Sequence, residues 1–304
     1  MGYHGGHLAE PGQSPRNFRL SAVMERKILL SPADLRFAQK DAGCITVDCR
    51  SYLTDTGAGF KKYLESHIPG AVYAHLENDL SGAVTSTSGR HPLPDPDLFA
   101  SFLARVGWSP GKLLVVYDDA GGSIATRLWW MMKYFGQDCA ALLDGGIGAW
   151  REAGFELESG NVDSTELPCV RLSANRDLVL STADIVKSLG KRGTVLVDAR
   201  DSRRFAGEIE PIDTVAGHVP GAVNYPFALN LTANKTFKPV EELRSGFQNL
   251  LGEDNTQDLV HMCGSGVTAC LNLFAAELAG FKDSKLYVGS WSEWIRDPSR
   301  PVEP

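Results

Sequence analysis

Residues 260–270 read Val260-His261-Met262-Cys263-Gly264-Ser265-Gly266-Val267-Thr268-Ala269-Cys270, and this stretch decides how the rest of the chain is read. Leu259 to Met262 is a short apolar run, the pattern of a buried strand. Val267, Cys270, Leu271, Phe274 and Leu278 then recur at helical spacing, with Gly280 as a stop. Cys263 is therefore expected at the tip of a strand, in a tight loop that runs onto a helix N-terminus. Glycines let successive backbone N–H groups turn inward as an anion nest. The helix adds its positive end. Both favour the thiolate, which is the nucleophilic form of cysteine. A free cysteine is more often a small buried hydrophobe; the loop is what sets this one apart.

The chain has 304 residues, which suggests about two domains, each long enough to bury a core. A net charge of −7 argues against nucleic acid or an anionic membrane surface as a main partner. No apolar run reaches the roughly 18 residues of a membrane helix. Residues 1–27 are rich in Gly, His and Pro and lack the apolar core of a signal peptide, so they read as a flexible extension. His4 and His7 alone make no metal site, and none is expected. The six cysteines form no Cys-x-x-Cys pair, and without a secretion signal they read as reduced thiols of a cytoplasmic protein.

The chain is written twice. Leu30-Ser31-Pro32-Ala33-Asp34-Leu35 returns as Leu180-Ser181-Thr182-Ala183-Asp184-Ile185, a helix start with Ser as N-cap. Ile45 to Arg50 returns as Val195 to Arg200, each a strand ending in Asp-x-Arg. His67-Ile68-Pro69-Gly70 returns as His218-Val219-Pro220-Gly221. Leu113 to Tyr117 and the helical pattern after it mirror the elements around Cys263, and Leu142 to Trp150 lies over Leu286 to Trp294. That register puts Asp119 opposite Cys263, so the first copy has the scaffold without the nucleophile. Short strands alternating with amphipathic helices predict an α/β fold: two tandem units, each a parallel sheet with helices on both faces. The boundaries are read as 28–156 and 177–304, joined by a polar linker over 157–176. Ligands of such sheets bind beyond the carboxyl ends of strands, where Cys263 falls.

Cys263-Gly264-Ser265-Gly266-Val267-Thr268-Ala269, together with this duplication, resembles the tandem-domain rhodanese superfamily. Within it the loop is similar to that of the 3-mercaptopyruvate sulfurtransferases. Thiosulfate-preferring rhodaneses place cations where this chain has Gly264 and Ser265. The resemblance implies two rhodanese-like domains, the second catalytic, and a persulfide carried on Cys263. It implies a small-molecule sulfur donor, and as acceptor a thiol such as thioredoxin or a small thiol, or cyanide. No cofactor is implied. The backbone of Gly264, Gly266, Val267, Thr268 and Ala269 would hold the anionic sulfur, and Ser265 would relay a proton. Arg204 would grip the donor's anionic group, as guanidinium grips carboxylate. His67 would share in proton transfer with Ser265, although His218 at the same place in the second copy suits a scaffold role equally well. Trp291 is expected to line the pocket and Trp294 to lie in the core. The second substrate arginine of the family has no counterpart in Glu208-Ile209-Glu210-Pro211-Ile212-Asp213.

Other readings are weaker. A phosphatase loop of the form Cys-x5-Arg needs a guanidinium six residues after the cysteine, and Ala269 stands there. A non-catalytic interaction module fits the first half and not the Cys263 loop. Thiosulfate is the rival donor. Asp48 with Arg50 and Asp198 with Arg200 read as structural pairs, Gly89-Arg90-His91-Pro92 as a solvated loop, and Cys270 as packing.

Overall fold

The computed structural model describes residues 27–41, 43–252 and 258–304. The extension expected over 1–27 lies, apart from Lys27, outside the described residues. The first unit runs β1 (Leu29–Leu30), α1 (Pro32–Ala38), β2 (Cys44–Asp48), α2 (Ala58–Glu65), β3 (Val72–Tyr73), α3 (Pro96–Arg105), β4 (Leu113–Tyr117), α4 (Ala125–Tyr134), β5 (Ala140–Leu143) and α5 (Gly146–Glu152). The second runs β6 (Val179–Leu180), α6 (Thr182–Ser188), β7 (Thr194–Asp198), α7 (Ser202–Phe205), β8 (Val223–Asn224), α8 (Val240–Leu251), β9 (Asp258–Met262), α9 (Ala269–Ala279), β10 (Lys285–Tyr287) and α10 (Ser290–Trp294). Each unit forms a five-stranded sheet, ordered β1-β5-β4-β2-β3 and β6-β10-β9-β7-β8, and every ladder is parallel. The expected α/β duplication is what forms.

The repeated sequence signals build repeated structure. Ser31 and Ser181 each accept from the backbone N–H three residues on, and Asp34 and Asp184 reach back to the cap residue's N–H, which satisfies two orphan donors at each helix start. Arg50 and Arg200 each fork onto Asp48 and Asp198 and reach the carbonyl before the repeated histidine, Ser66 and Gly217. These buried ion pairs are braces between a central strand and the next crossover.

Side chains alternate along the strands and feed opposite faces. Leu114 and Val116 join a large core that also takes in Leu259, Phe274 and Val197; Val115 and Tyr117 face a small outer core with Leu35 and Trp150. A matching outer core holds Val260, Met262, Trp291 and Trp294. The large core is common to both units. Helices α4 and α9 meet across it, Trp129 standing edge-on to Phe274 with ring centroids 4.7 Å apart. The stretch expected as linker follows the first unit, Leu167 donating to the Ala104 carbonyl and Asn175 to the Tyr134 carbonyl.

Candidate active site

Strand register locates the two equivalent loops. Leu113 to Tyr117 pair with Cys44 to Asp48 as Asp258 to Met262 pair with Thr194 to Asp198. Asp118 is therefore the counterpart of Cys263, and the expectation of Asp119 is corrected by one residue. A second contact agrees: the Ile147 N–H donates to the Asp118 carbonyl as the Trp291 N–H donates to that of Cys263. The sequence register slipped because the first loop is one residue longer, Asp118 standing seven residues before α4 and Cys263 six before α9. The two loops turn their backbone donors to different groups. Asp118 turns its carboxylate into its own loop and accepts from the N–H groups of Ala120, Gly122, Ile124 and Ala125 at 2.8–2.9 Å. In the second loop the corresponding space is left to sulfur, and the Gly266 N–H donates to Cys263 Sγ at 3.2 Å.

Cys263 is 2% exposed. Its backbone is pinned by α10: Ser290 Oγ accepts from the Cys263 N–H at 3.1 Å and donates to the Tyr287 carbonyl. Ser290 does this from φ +53, a left-handed backbone that its counterpart Gly146 adopts at no steric cost. Gly266 has φ +76, and a Cβ there would stand 2.4 Å from the Val288 carbonyl oxygen; only glycine fits. Cys270 is fully buried, its thiol pushed up to about 12 by burial, with its Sγ on the Gly266 carbonyl. It packs beneath the loop.

Ser265 has a histidine, and it is not His67. Ser265 Oγ and His91 Nδ1 are hydrogen-bonded at 2.8 Å. His67 binds the Tyr63 carbonyl through Nδ1, stacks on the Tyr63 ring and pairs its backbone with Glu158. His218 repeats each contact with Phe205 and Glu303. Both histidines make scaffold contacts, so the expectation that His67 lies with Ser265 is corrected: the histidine beside Ser265 is His91. Burial pulls the His91 pKa down to about 4, with the nearby charges of Arg127 and Arg90 adding to it. A ring held that low is neutral at neutral pH.

Two guanidiniums flank Gly264. A Cβ at Gly264 would lie 2.9 Å from Arg90 Nη2 and 3.8 Å from both terminal nitrogens of Arg204. The family's second arginine has no counterpart after Arg204; the second guanidinium beside Gly264 comes from the other unit. Arg204 forks onto Glu210 and reaches Asp213 Oδ2 at 3.2 Å; Arg90 pairs with Asp213 Oδ1. Burial raises the Glu210 pKa, but hydrogen bonds from Arg204 and the N–H groups of Asp213 and Ile212 leave it net lowered. For Asp213 burial wins over the two arginines and the pKa is raised. Trp291 is 0% exposed. It lies under the Arg200 guanidinium and donates to the Val215 carbonyl, so it fastens the 210–215 strap and does not line a pocket.

One more residue crosses between units. Arg127, on α4, is fully buried and donates to the carbonyls of Gly266 at 2.9 Å and His91 at 3.0 Å. No carboxylate is among its hydrogen-bond partners in the described residues, and its charge reaches the thiols of Cys270 and Cys263. Nothing in the helical pattern of α4 marks it. Among the described residues no group of three or more His, Cys, Asp or Glu could hold a metal ion, and no helix is long and apolar enough to cross a membrane.

Comparisons with known proteins fit this architecture. The rhodanese-like domain model matches residues 31–153 and 181–297. A protein of Pseudomonas aeruginosa named "Probable 3-mercaptopyruvate sulfurtransferase" is 45% identical over 276 residues, 90% of this chain and 97% of that one. The thiosulfate sulfurtransferase of Rattus norvegicus is 34% identical over 255 residues, 82% and 84% of the two chains. The solved structure of 3-mercaptopyruvate sulfurtransferase from Leishmania major superposes with a TM-score of 0.78 at 31% identity, over 90% of this chain and 76% of that one. With both units matched and the nucleophile loop in the second, the chain belongs to the rhodanese family as a tandem of two rhodanese-like domains.

Proposed function

We propose that this protein transfers sulfur from 3-mercaptopyruvate to a thiol or to cyanide through a persulfide on Cys263. The Cys263 thiolate attacks the donor sulfur, the donor carbon–sulfur bond breaks, and its electron pair leaves on carbon as the enolate of pyruvate. That carbon takes a proton to give pyruvate. An acceptor thiolate, or cyanide, then attacks the outer sulfur and returns the Cys263 thiolate. Backbone N–H groups over Gly264–Ala269 stabilise the anionic sulfur in both states. Arg204 and Arg90 take the donor carboxylate.

The observation that carries the choice of donor is the hydrogen bond between Ser265 and His91, two residues beyond the nucleophile. Breaking a carbon–sulfur bond needs a proton delivered to the leaving carbon, which a neutral imidazole and a hydroxyl can relay. Thiosulfate leaves as sulfite and needs no such relay. Thiosulfate remains the second reading, favoured by the pair of arginines at Gly264 and by the resemblance to a thiosulfate sulfurtransferase. The described cysteines are all free, which suits a reducing cytoplasm in which thioredoxin or a small thiol serves as acceptor.

The test is steady-state turnover with the two donors in competition for a common acceptor. The ratio of kcat/KM should favour 3-mercaptopyruvate by about tenfold or more, a difference of about 1.4 kcal/mol in transition-state binding. A ratio favouring thiosulfate reverses the reading.

A further inference from the structure

The two arginines at Gly264 raise a question of charge. A pair of guanidiniums aimed at one small site suits a dianion better than a monocarboxylate. The surroundings answer it. Arg200 is forked onto Asp198. Arg204 is forked onto Glu210, which also stands 3.5 Å from Arg200. Asp213 then divides its two oxygens between the units, Oδ1 on Arg90 of the first and Oδ2 on Arg204 of the second. Three arginines face three carboxylates, so this cluster carries no net charge.

The Asp213 carboxylate is held in place. Its side chain is 5% exposed. Its backbone N–H and that of Ile212 both donate to Glu210 Oε1. Two residues on, the Val215 carbonyl is tied down by Trp291. Such a group cannot swing into solvent when an anion arrives, so its negative charge acts on whatever binds.

We propose that Asp213 sets the charge preference for the donor: its carboxylate, shared between Arg90 and Arg204, admits a monocarboxylate and penalises a doubly charged donor. The inference rests on the reading that those arginines receive the donor's anionic group. It adds a determinant outside the Cys263 loop, where the contrast between neutral and cationic residues would otherwise carry the whole distinction. A fixed charge a few ångströms away in partly screened surroundings changes the relative binding of mono- and dianions by about tenfold, and added salt reduces that factor.

Asp213→Asn keeps the shape and an oxygen acceptor for the arginines while removing the charge. Compared with wild type, the ratio of kcat/KM for thiosulfate to that for 3-mercaptopyruvate should rise by about tenfold at low salt and by less at high salt. An unchanged ratio, or an equal loss with both donors at either salt concentration, overturns the proposal and leaves Asp213 as a fastening between the units. A second measurement needs no turnover: protection of Cys263 from iodoacetamide by sulfate and by acetate. The variant should gain protection by sulfate relative to acetate, and an equal change for both anions overturns the proposal. A wild-type enzyme that uses neither donor would refute the functional reading, while the protection ratio would still decide the role of Asp213.

Discussion

His91 and His67 show what a single residue reveals and hides. Both precede Pro-containing turns of the first unit, at Pro92 and Pro69, and only one of them touches Ser265. The duplication separates them. His67, Asp48 and Arg50 recur in the second copy and proved to be scaffold. Cys263 and His91 have no counterpart of the same type, and they gather at one point. The Cys263 loop is legible from glycine spacing, because nests and helix starts are local. The His91 contact bridges 174 positions of sequence, and no periodicity records it. His91→Gln should lower kcat for 3-mercaptopyruvate by about a hundredfold, the usual scale of lost proton transfer, and leave thiosulfate turnover far less affected. His67→Gln should instead lower the thermal midpoint without changing the donor ratio. Equal losses with both donors for His91→Gln would remove it from the relay. His261 is a different case. It is fully buried, neither ring nitrogen has a partner among the described residues, and burial pulls its pKa down to about 3. The folded value lies below the unfolded one near 6.5, so the unfolded chain takes up the proton first as pH falls. Stability present above about pH 6.5 is therefore lost progressively toward pH 3. His261→Leu should raise the thermal midpoint at neutral pH, by removing an unsatisfied N–H, and should flatten the acid limb. A midpoint that falls with pH in parallel with wild type would sink the idea. Some slope remains even so, since His91 titrates in the same direction.

The strand–loop–helix element is used twice for two purposes. Around Cys263 the Gly266 N–H is turned to the cysteine sulfur. Around Asp118 the inward N–H groups are permanently filled by a carboxylate. The first element is thus a structural version of the catalytic one, in which the chain supplies its own anion. Its identity was legible from the repeated strand and helix. Its register was not, because one added residue in a loop leaves the hydrophobic pattern on either side unchanged. Asp118→Asn puts an amide into a nest built for an anion. One oxygen must then satisfy donors that two shared, and the NH2 group faces N–H groups. The cost should be about 1–3 kcal/mol, that of leaving buried donors unsatisfied, read as a lower midpoint in urea or heat. Sulfur transfer at Cys263 should persist in the folded fraction. A variant as stable as wild type would mean that the carboxylate contributes nothing to the loop.

At the scale of the whole molecule each unit completes the other. The first sends Arg90 and His91 over the Cys263 loop. The second sends its 231–237 turn over the Asp118 loop, where Lys235 donates to the Asp119 carbonyl and the Phe237 N–H to Asp144. The two arms are related like the units themselves. The two copies were legible in the sequence and their embrace was not, since contacts between units depend on side chains that break the repeat. Arg127 is the clearest of these. A buried guanidinium without a carboxylate is costly, and it is retained where its fork joins the His91 carbonyl to the Gly266 carbonyl. It thereby ties the His91 segment of one unit to the Cys263 loop of the other, with its charge near Cys263. Arg127→Met keeps the length and removes both the fork and the charge. Alkylation of Cys263 by iodoacetamide at neutral pH should slow, and kcat for 3-mercaptopyruvate should fall by about tenfold or more, as displaced catalytic groups cost at least that. Arg127→Lys restores the charge without the fork, so it should recover alkylation more fully than turnover. If the methionine variant alkylates and turns over at the wild-type rate, the first unit contributes to catalysis only through Arg90 and His91, and the buried arginine is a packing residue of the shared core.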